Sequence, residues 1–266
     1  MRADVFLSTN GYAKSRQRAQ EMIRAGLVLC NGRPIAKPSE QLDEAALVTV
    51  TGEVHPYVGR GGVKLEAALR QFAVDPSGLR CCDIGASTGG FTDCLLRHGA
   101  AFVYAVDSGT EQLDPSLRSD ARVCSMERCN AKTLCPELLG GAVSLCTMDV
   151  SFTSALPFFE IVSKILVREG AFILLIKPQF EVGRAALGKG GIVHDRRAAA
   201  ACVIRLCEAA ENAGLYLGGI CQSPIKGGDG NIEFLAIFQK TKPEKAVLPQ
   251  TMPALLSLLY KEEATP

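Results

Sequence analysis

The sequence has almost no net charge: 29 Lys and Arg against 28 Asp and Glu leave a formal +1. Overall charge therefore cannot point to a nucleic-acid partner, and only its distribution can. No apolar run approaches the roughly 20 residues that span a bilayer. The most apolar segment, 171–176, is only strand length, which argues against a helical membrane span. Met1-Arg2-Ala3-Asp4 opens the chain without an apolar h-region, so no secretory signal is expected. Cysteine is abundant at eleven residues, yet no Cys-x-x-Cys pair occurs, so no metal site is expected. Free thiols in a reducing, cytoplasmic compartment follow as the expectation. Internal repeats and low-complexity tracts are also missing.

Charge is unevenly placed. Arg2, Lys14, Arg16, Arg18, Arg24, Arg33 and Lys37 crowd the first forty residues, opposed there by Asp4 and Glu21 until Glu40. This part reads as a small α+β module over 1–54. Asp4 is expected to cap a first helix that stops at Gly11. Ser15 should cap a second, running to about Ala25 and ending at Gly26. Arg16, Gln20 and Arg24 fall one turn apart on that second helix, a stripe suited to phosphates. Strands are expected at 27–29 and 47–50, with Asn31-Gly32 as a hairpin turn. Gly52 and Pro56 punctuate a boundary, giving a linker at 55–60, a second domain over 61–242 and a tail over 243–266 that carries a short apolar helix pattern from Leu255 to Tyr260.

The second domain alternates. Strands are expected at 80–84, 102–106, 121–125, 143–149, 171–176, 215–221 and 233–238, and helices at 63–72, 90–97, 134–139, 155–167 and 196–213. Such alternation means an α/β fold with a mostly parallel sheet covered by helices. Only a Gly-rich loop joins the last two strands, so they should pair antiparallel.

Two features carry chemistry. In Cys82-Asp83-Ile84-Gly85-Ala86-Ser87-Thr88-Gly89-Gly90 a strand runs into a small-residue loop and then a helix. Gly85, Gly89 and Gly90 let a ligand approach the backbone in the crevice where open α/β sheets bind ligands. Asp107 ends the next strand and could take both hydroxyls of a ribose. An adenosine cofactor is implied. The spacing is not the dinucleotide G-x-G-x-x-G, which argues against NAD. The second feature is a set of four charges, Lys64, Asp149, Lys177 and Glu233, in contexts that should be apolar or strand-terminal. An unpaired buried charge is costly, so two lysines and two carboxylates at one side of a sheet could satisfy each other.

Val58-Gly59-Arg60-Gly61-Gly62-Val63-Lys64-Leu65, the 83–93 loop, Met148-Asp149-Val150-Ser151-Phe152, Ile176-Lys177-Pro178-Gln179-Phe180-Glu181 and Gly188-Lys189-Gly190-Gly191 together resemble the TlyA family. These are the haemolysin-type ribosomal RNA methyltransferases, whose catalytic domain is similar to the FtsJ/RrmJ group. Ser15-Arg16, Ala19, Ile23, Gly26-Leu27-Val28 and Asn31-Gly32 resemble an S4 RNA-binding domain. The resemblance implies a Rossmann-like class I methyltransferase sheet behind an S4 domain, with S-adenosylmethionine as cofactor. It implies methyl transfer to a ribose 2′-hydroxyl of ribosomal RNA in ribosomal subunits, with cytidine the target. The absent signal and spanning segment make a cytoplasmic protein without membrane attachment the expectation; a monomer is expected, though the sequence does not fix the oligomeric state. It makes Lys64, Asp149, Lys177 and Glu233 the catalytic set. Asp83, Gly85, Ala86, Ser87, Gly89, Gly90, Asp107 and Asn130 become cofactor contacts.

Lysine is a poor base at neutral pH until its surroundings favour the neutral amine. The expectation is that Lys177 steers and deprotonates the 2′-hydroxyl, Asp149 and Glu233 orient and balance charge, and Lys64 tunes the cluster or contacts phosphate. RNA contacts are expected from Lys14, Arg16, Arg18, Arg24, Arg60 and Lys189, with Arg184, Arg196 and Arg197 beside the last. Three other readings stay open: a non-catalytic S4-type RNA-binding or ribosome-assembly factor, a membrane-active haemolysin, and an NAD-dependent enzyme.

Overall fold

A computed structural model describes residues 1–52 and 54–260, apart from the side chain of Ala185. Glu53 of the expected boundary and 261–266 of the expected tail lie outside the described residues. The chain divides into two compact units between Pro56 and Tyr57, inside the stretch read as a linker.

The first unit holds α1 (Ala3–Thr9), α2 (Arg16–Arg24), β1 (Val28–Cys30), β2 (Arg33–Pro34) and β3 (Val48–Val50). The strands form an antiparallel sheet in the order β2-β1-β3. Ser15 caps α2 as expected, accepting from Arg18 N at 3.1 Å, and Ala19, Met22 and Ile23 bury the apolar stripe. Asn31 and Gly32 both take positive φ, 51° and 78°, as a two-residue hairpin turn requires. Asp4 corrects the sequence reading. Arg2 occupies the cap position of α1. Asp4 lies inside the first turn, fully buried, and accepts from Arg2 Nε at 3.0 Å, Arg16 Nε at 2.9 Å and Gln20 Nε2 at 2.7 Å. The Arg2 bond, foremost, holds its carboxyl well below the usual range. A buried acid must find donors, and α2 supplies two of them.

The second unit contains α3 (Gly61–Gln71), β4 (Arg80–Ile84), α4 (Gly90–Arg97), β5 (Phe102–Val106), α5 (Pro115–Arg118), β6 (Val123–Met126), β7 (Val143–Met148), α6 (Phe159–Ile165), β8 (Leu166–Ile176), α7 (Arg196–Asn212), β9 (Tyr216–Gln222), β10 (Phe234–Gln239) and α8 (Met252–Leu259). Seven strands among the described residues order as β6-β5-β4-β7-β8-β10-β9. The first five pair parallel, and β10 runs antiparallel to both its neighbours. Alternating strand residues feed two cores. Cys82, Ile84, Phe172, Leu174 and Phe238 join α6, α7 and α8 on one face. Cys81, Ile173, Leu175 and Ile237 join α3 and α4 on the other. Strand order reverses between β4 and β7, so a crevice opens beyond their carboxyl ends.

Two sequence expectations fail here, and a third is filled in. The stretch 134–139 is turn rather than helix: Leu134 and Leu139 are single buried plugs beside Pro136 and Gly140. The helix expected over 155–167 stops at Ile165, because Leu166 already pairs with Val143. Pairing then jumps to Ala171 against Leu145, so 167–170 bulge and leave Arg168 and Glu169 exposed. The expected tail contains α8, whose Leu255 and Leu259 are buried in the α7 core.

Candidate active site

The glycine loop closes the crevice from the β4 side. Gly85 takes φ 81°, and a Cβ there would meet the Asp149 carbonyl oxygen at 2.7 Å, so only glycine lets β4 and β7 turn so closely together. Asp107, at the end of β5, accepts from Ser87 N at 2.8 Å and from Gly109 N at 2.7 Å. Each carboxylate oxygen keeps a lone pair for a further donor. A cavity of about 520 Å³ opens beside these groups, lined by Gly85, Ser87, Asp107, Asn130, Asp149 and Phe152 among others.

Four of the eight expected cofactor residues, Gly85, Ser87, Asp107 and Asn130, therefore line one cavity. Asp83, Ala86, Gly89 and Gly90 do not. Gly89 and Gly90 are packing positions: a Cβ on Gly89 would meet Leu117 Cδ1 at 2.2 Å, and one on Gly90 would meet Gly62 N at 3.0 Å. Asp83 lies beneath the loop with no exposure. It accepts from Thr92 Oγ1 at 2.7 Å and Thr147 Oγ1 at 2.9 Å. Burial pushes its carboxyl up to about 7, against the pull of those two hydroxyls.

The four charges sort into two pairs. On α3, Leu65, Ala68 and Leu69 form the buried stripe, and Lys64 lies one turn before Ala68 on it. Its ammonium donates to Glu233 Oε2 at 2.5 Å, with the two side chains 8% and 2% exposed. Glu233 directly precedes β10, against which α3 packs. The second pair is more open. Lys177, just past β8, places Nζ 2.6 Å from Asp149 Oδ1, and the side chains are 12% and 21% exposed. Its hydrogen bond goes instead to Ser151 Oγ at 2.7 Å. Asp149 Oδ1 is buried and accepts no hydrogen bond, so the lysine contact there is electrostatic rather than directional. Asp149 is at the same time a residue of the cavity wall.

Sequence reasoning passed over Phe152 and Ser151. Phe152 is 92% exposed, takes φ 62°, lines the cavity and lies 5.2 Å from the Phe180 ring. Large apolar side chains stay that exposed at little benefit to the fold. The motif holding both residues was visible in the sequence, but the turn that lifts the ring out was not.

The expected RNA contacts are used unevenly. Lys14, Arg24 and Lys189 are exposed. Arg16 is ion-paired to Asp4 yet its side chain is 55% exposed. Arg18 donates to the His55 carbonyl at 2.7 Å and lies 3.8 Å from Glu21. Arg60 donates to the Lys226 carbonyl.

The FtsJ-like methyltransferase family matches residues 57–240, and the S4 domain matches residues 1–48. The chain belongs to the TlyA family of FtsJ-like methyltransferases. It is 42% identical, over 92% of each chain, to the 16S/23S rRNA (cytidine-2′-O)-methyltransferase TlyA of Mycobacterium tuberculosis. It is 40% identical to Hemolysin A of Brachyspira hyodysenteriae, over 90% of this chain and 99% of that one. A solved structure from Streptococcus thermophilus whose name carries the word hemolysin superposes with a TM-score of 0.75 at 39% identity, covering 97% of this chain and 94% of that one. The FtsJ-like match makes S-adenosylmethionine the cofactor, and Gly85, Ser87, Asp107 and Asn130 are the expected contacts that line the cavity. The hemolysin names find no helical counterpart: among the described residues no helix is long and apolar enough to cross a membrane.

Proposed function

We propose that this chain transfers a methyl group from S-adenosylmethionine to a ribose 2′-hydroxyl of ribosomal RNA, with cytidine the target nucleoside. The observation that carries the reading is the Lys177–Asp149 pair, which keeps some exposure: Asp149 lines the cavity and Lys177, outside that lining, contacts it at 2.6 Å. The names of relatives supply the substrate class, and the S4 match supports RNA as partner.

When bound, S-adenosylmethionine supplies an electrophilic methyl group on a sulfonium. The 2′-hydroxyl must be aligned and lose its proton. Lys177 does both: its Nζ holds the hydroxyl oxygen and, as the neutral amine, takes the proton. Asp149 and Ser151 fix the amine from the far side. Lys64 and Glu233 neutralise each other and set the local charge without reaching solvent. Because sulfonium is already activated, positioning supplies much of the rate. Lys14, Arg24 and Lys189, with the exposed face of Arg16, hold phosphates and fix register, while Arg18 is taken up by His55 and Glu21. The reducing cytoplasm, where ribosomes are found, fits eleven free cysteines.

The test incubates the protein and tritiated S-adenosylmethionine with separated ribosomal subunits from cells lacking the enzyme, then locates the label. Ribose label at a cytidine is expected with the wild type and none with Lys177→Ala, cofactor affinity being retained. Full activity in that variant would refute the assignment of the base, and absence of ribose label with the wild type would refute the function.

A further inference from the structure

Glu181 takes no part in the chemistry above, yet it is a buried carboxylate only four residues past Lys177. Between them the chain makes one 3-10 turn, Pro178–Phe180, with Phe180 N donating to Lys177 O at 3.0 Å. The Glu181 side chain is 4% exposed. Its Oε1 accepts from Ala155 N at 2.7 Å and its Oε2 from Ser154 Oγ at 2.8 Å. Arg205 of α7 braces it, with NH2 3.6 Å from Oε2 and bonded to the Glu181 carbonyl.

Ser154 and Ala155 close the turn that starts at Asp149. Two segments thus run side by side, 149–155 and 177–181, joined by three rungs. Lys177 meets Asp149 and Ser151. Phe180 meets Phe152 at 5.2 Å. Glu181 meets Ser154 and Ala155. Only the third rung is sealed from water. The turn needs such an anchor: Phe152 adopts a left-handed backbone, which a non-glycine residue keeps only when its surroundings impose it, and its exposed ring gains little from burial.

We propose that Glu181 is a positioning residue for methyl transfer, clamping the 149–155 turn so that Asp149 and Ser151 hold the Lys177 amine in register. The proposal rests on the reading of Lys177 as the base. A residue that merely ties α7 to the fold would affect stability but not the turn.

The experiment uses the full chain with Glu181→Gln, which preserves volume and one acceptor, Glu181→Ala, Ser154→Ala and Ser151→Ala. It reads single-turnover methyl transfer to ribosomal RNA, hydrogen exchange over 149–156 and thermal melting. Glu181→Gln should slow the saturated rate on the order of tenfold to 10²-fold, the scale of a small misplacement of reacting groups. The KM for RNA should change little, and exchange at 149–156 should accelerate. Ser151→Ala should cost less in the Glu181→Gln background than in the wild type, because the two share one rung system. Should Glu181→Ala fail to fold, Glu181→Gln and Ser154→Ala decide. An unchanged saturated rate, additive effects, or lost melting temperature with normal exchange at 149–156 would each overturn the clamp. Lack of label on RNA with the wild type strikes the proposed function instead, while the exchange measurement still tests the clamp.

Discussion

Replacing Asp83 with asparagine tests whether the carboxylate under the glycine loop is neutral in the folded protein. Asp83 is wholly buried, and burial pushes its carboxyl up to about 7. In the unfolded chain it titrates near the ordinary value of about 3.9. The folded state therefore binds this proton more tightly. Between these values the folded protein carries one proton more than the unfolded, so stability falls as pH rises. The contribution is complete below pH about 4 and gone above pH about 7. From pH 5 to pH 8 about two pH units of that window are crossed, so the wild type loses on the order of 2–4 kcal/mol from this group. Asp83→Asn cannot titrate and keeps a carbonyl for one threonine, while the other hydroxyl can turn to accept from the amide. Urea unfolding of both proteins at pH 5 and pH 8 isolates the effect, since every other group cancels in the difference. The variant should gain on the wild type by on the order of 2–4 kcal/mol between the two conditions. A difference that stays constant with pH would mean that Thr92 and Thr147 hold an ionised carboxylate, and the argument from burial would be wrong.

Two further outcomes follow from the site. Glu233→Leu leaves the Lys64 ammonium buried without its partner and should destabilise the protein by about 3–5 kcal/mol in urea unfolding, with Lys64→Met in the same chain restoring most of it. Phe152→Ala removes a ring that is 92% exposed, so the melting temperature should hold. The KM for RNA should rise by the equivalent of about 1–3 kcal/mol if the ring stacks a substrate base.

The second domain was legible in the sequence because strands buried on both faces are nearly continuous apolar runs, and the helices between them break the pattern. The elements lost were those where burial and periodicity part company. Leu134 and Leu139 mimic a helical stripe while plugging the core from a turn. Arg168 and Glu169 interrupt the approach to β8 because they sit on a bulge, so the strand's start read as the helix's end. Asp4 reads as a cap because caps and buried acids both sit just before apolar residues. Only the three-dimensional meeting with Arg2, Arg16 and Gln20 separates them. Leu255 and Leu259 had a visible helical pattern, but nothing in one sequence says which core a terminal helix covers. The four charges were legible as a set and not as pairs, since pairing depends on α3 crossing β10 and on the closeness of the β7 and β8 ends.

That pairing favours Lys177 over Lys64 as the proposed base. Both lysines sit beside a carboxylate, so chemistry alone does not distinguish them. Burial does. Lys64 and Glu233 are 8% and 2% exposed and satisfy each other, so opening them to a ribose would strand one charge. Lys177 donates to Ser151 Oγ and contacts Asp149 Oδ1, which accepts no hydrogen bond, and both charged side chains keep some exposure. A 2′-hydroxyl arriving there meets an amine already oriented and disrupts no sealed pair. On the proposed reading the sealed pair contributes its neutral overall charge and its rigidity, holding α3 against β10, and proton movement belongs to the open one. Swapping the roles would demand that the less accessible ammonium leave Glu233 to reach substrate, which burial makes the costlier arrangement.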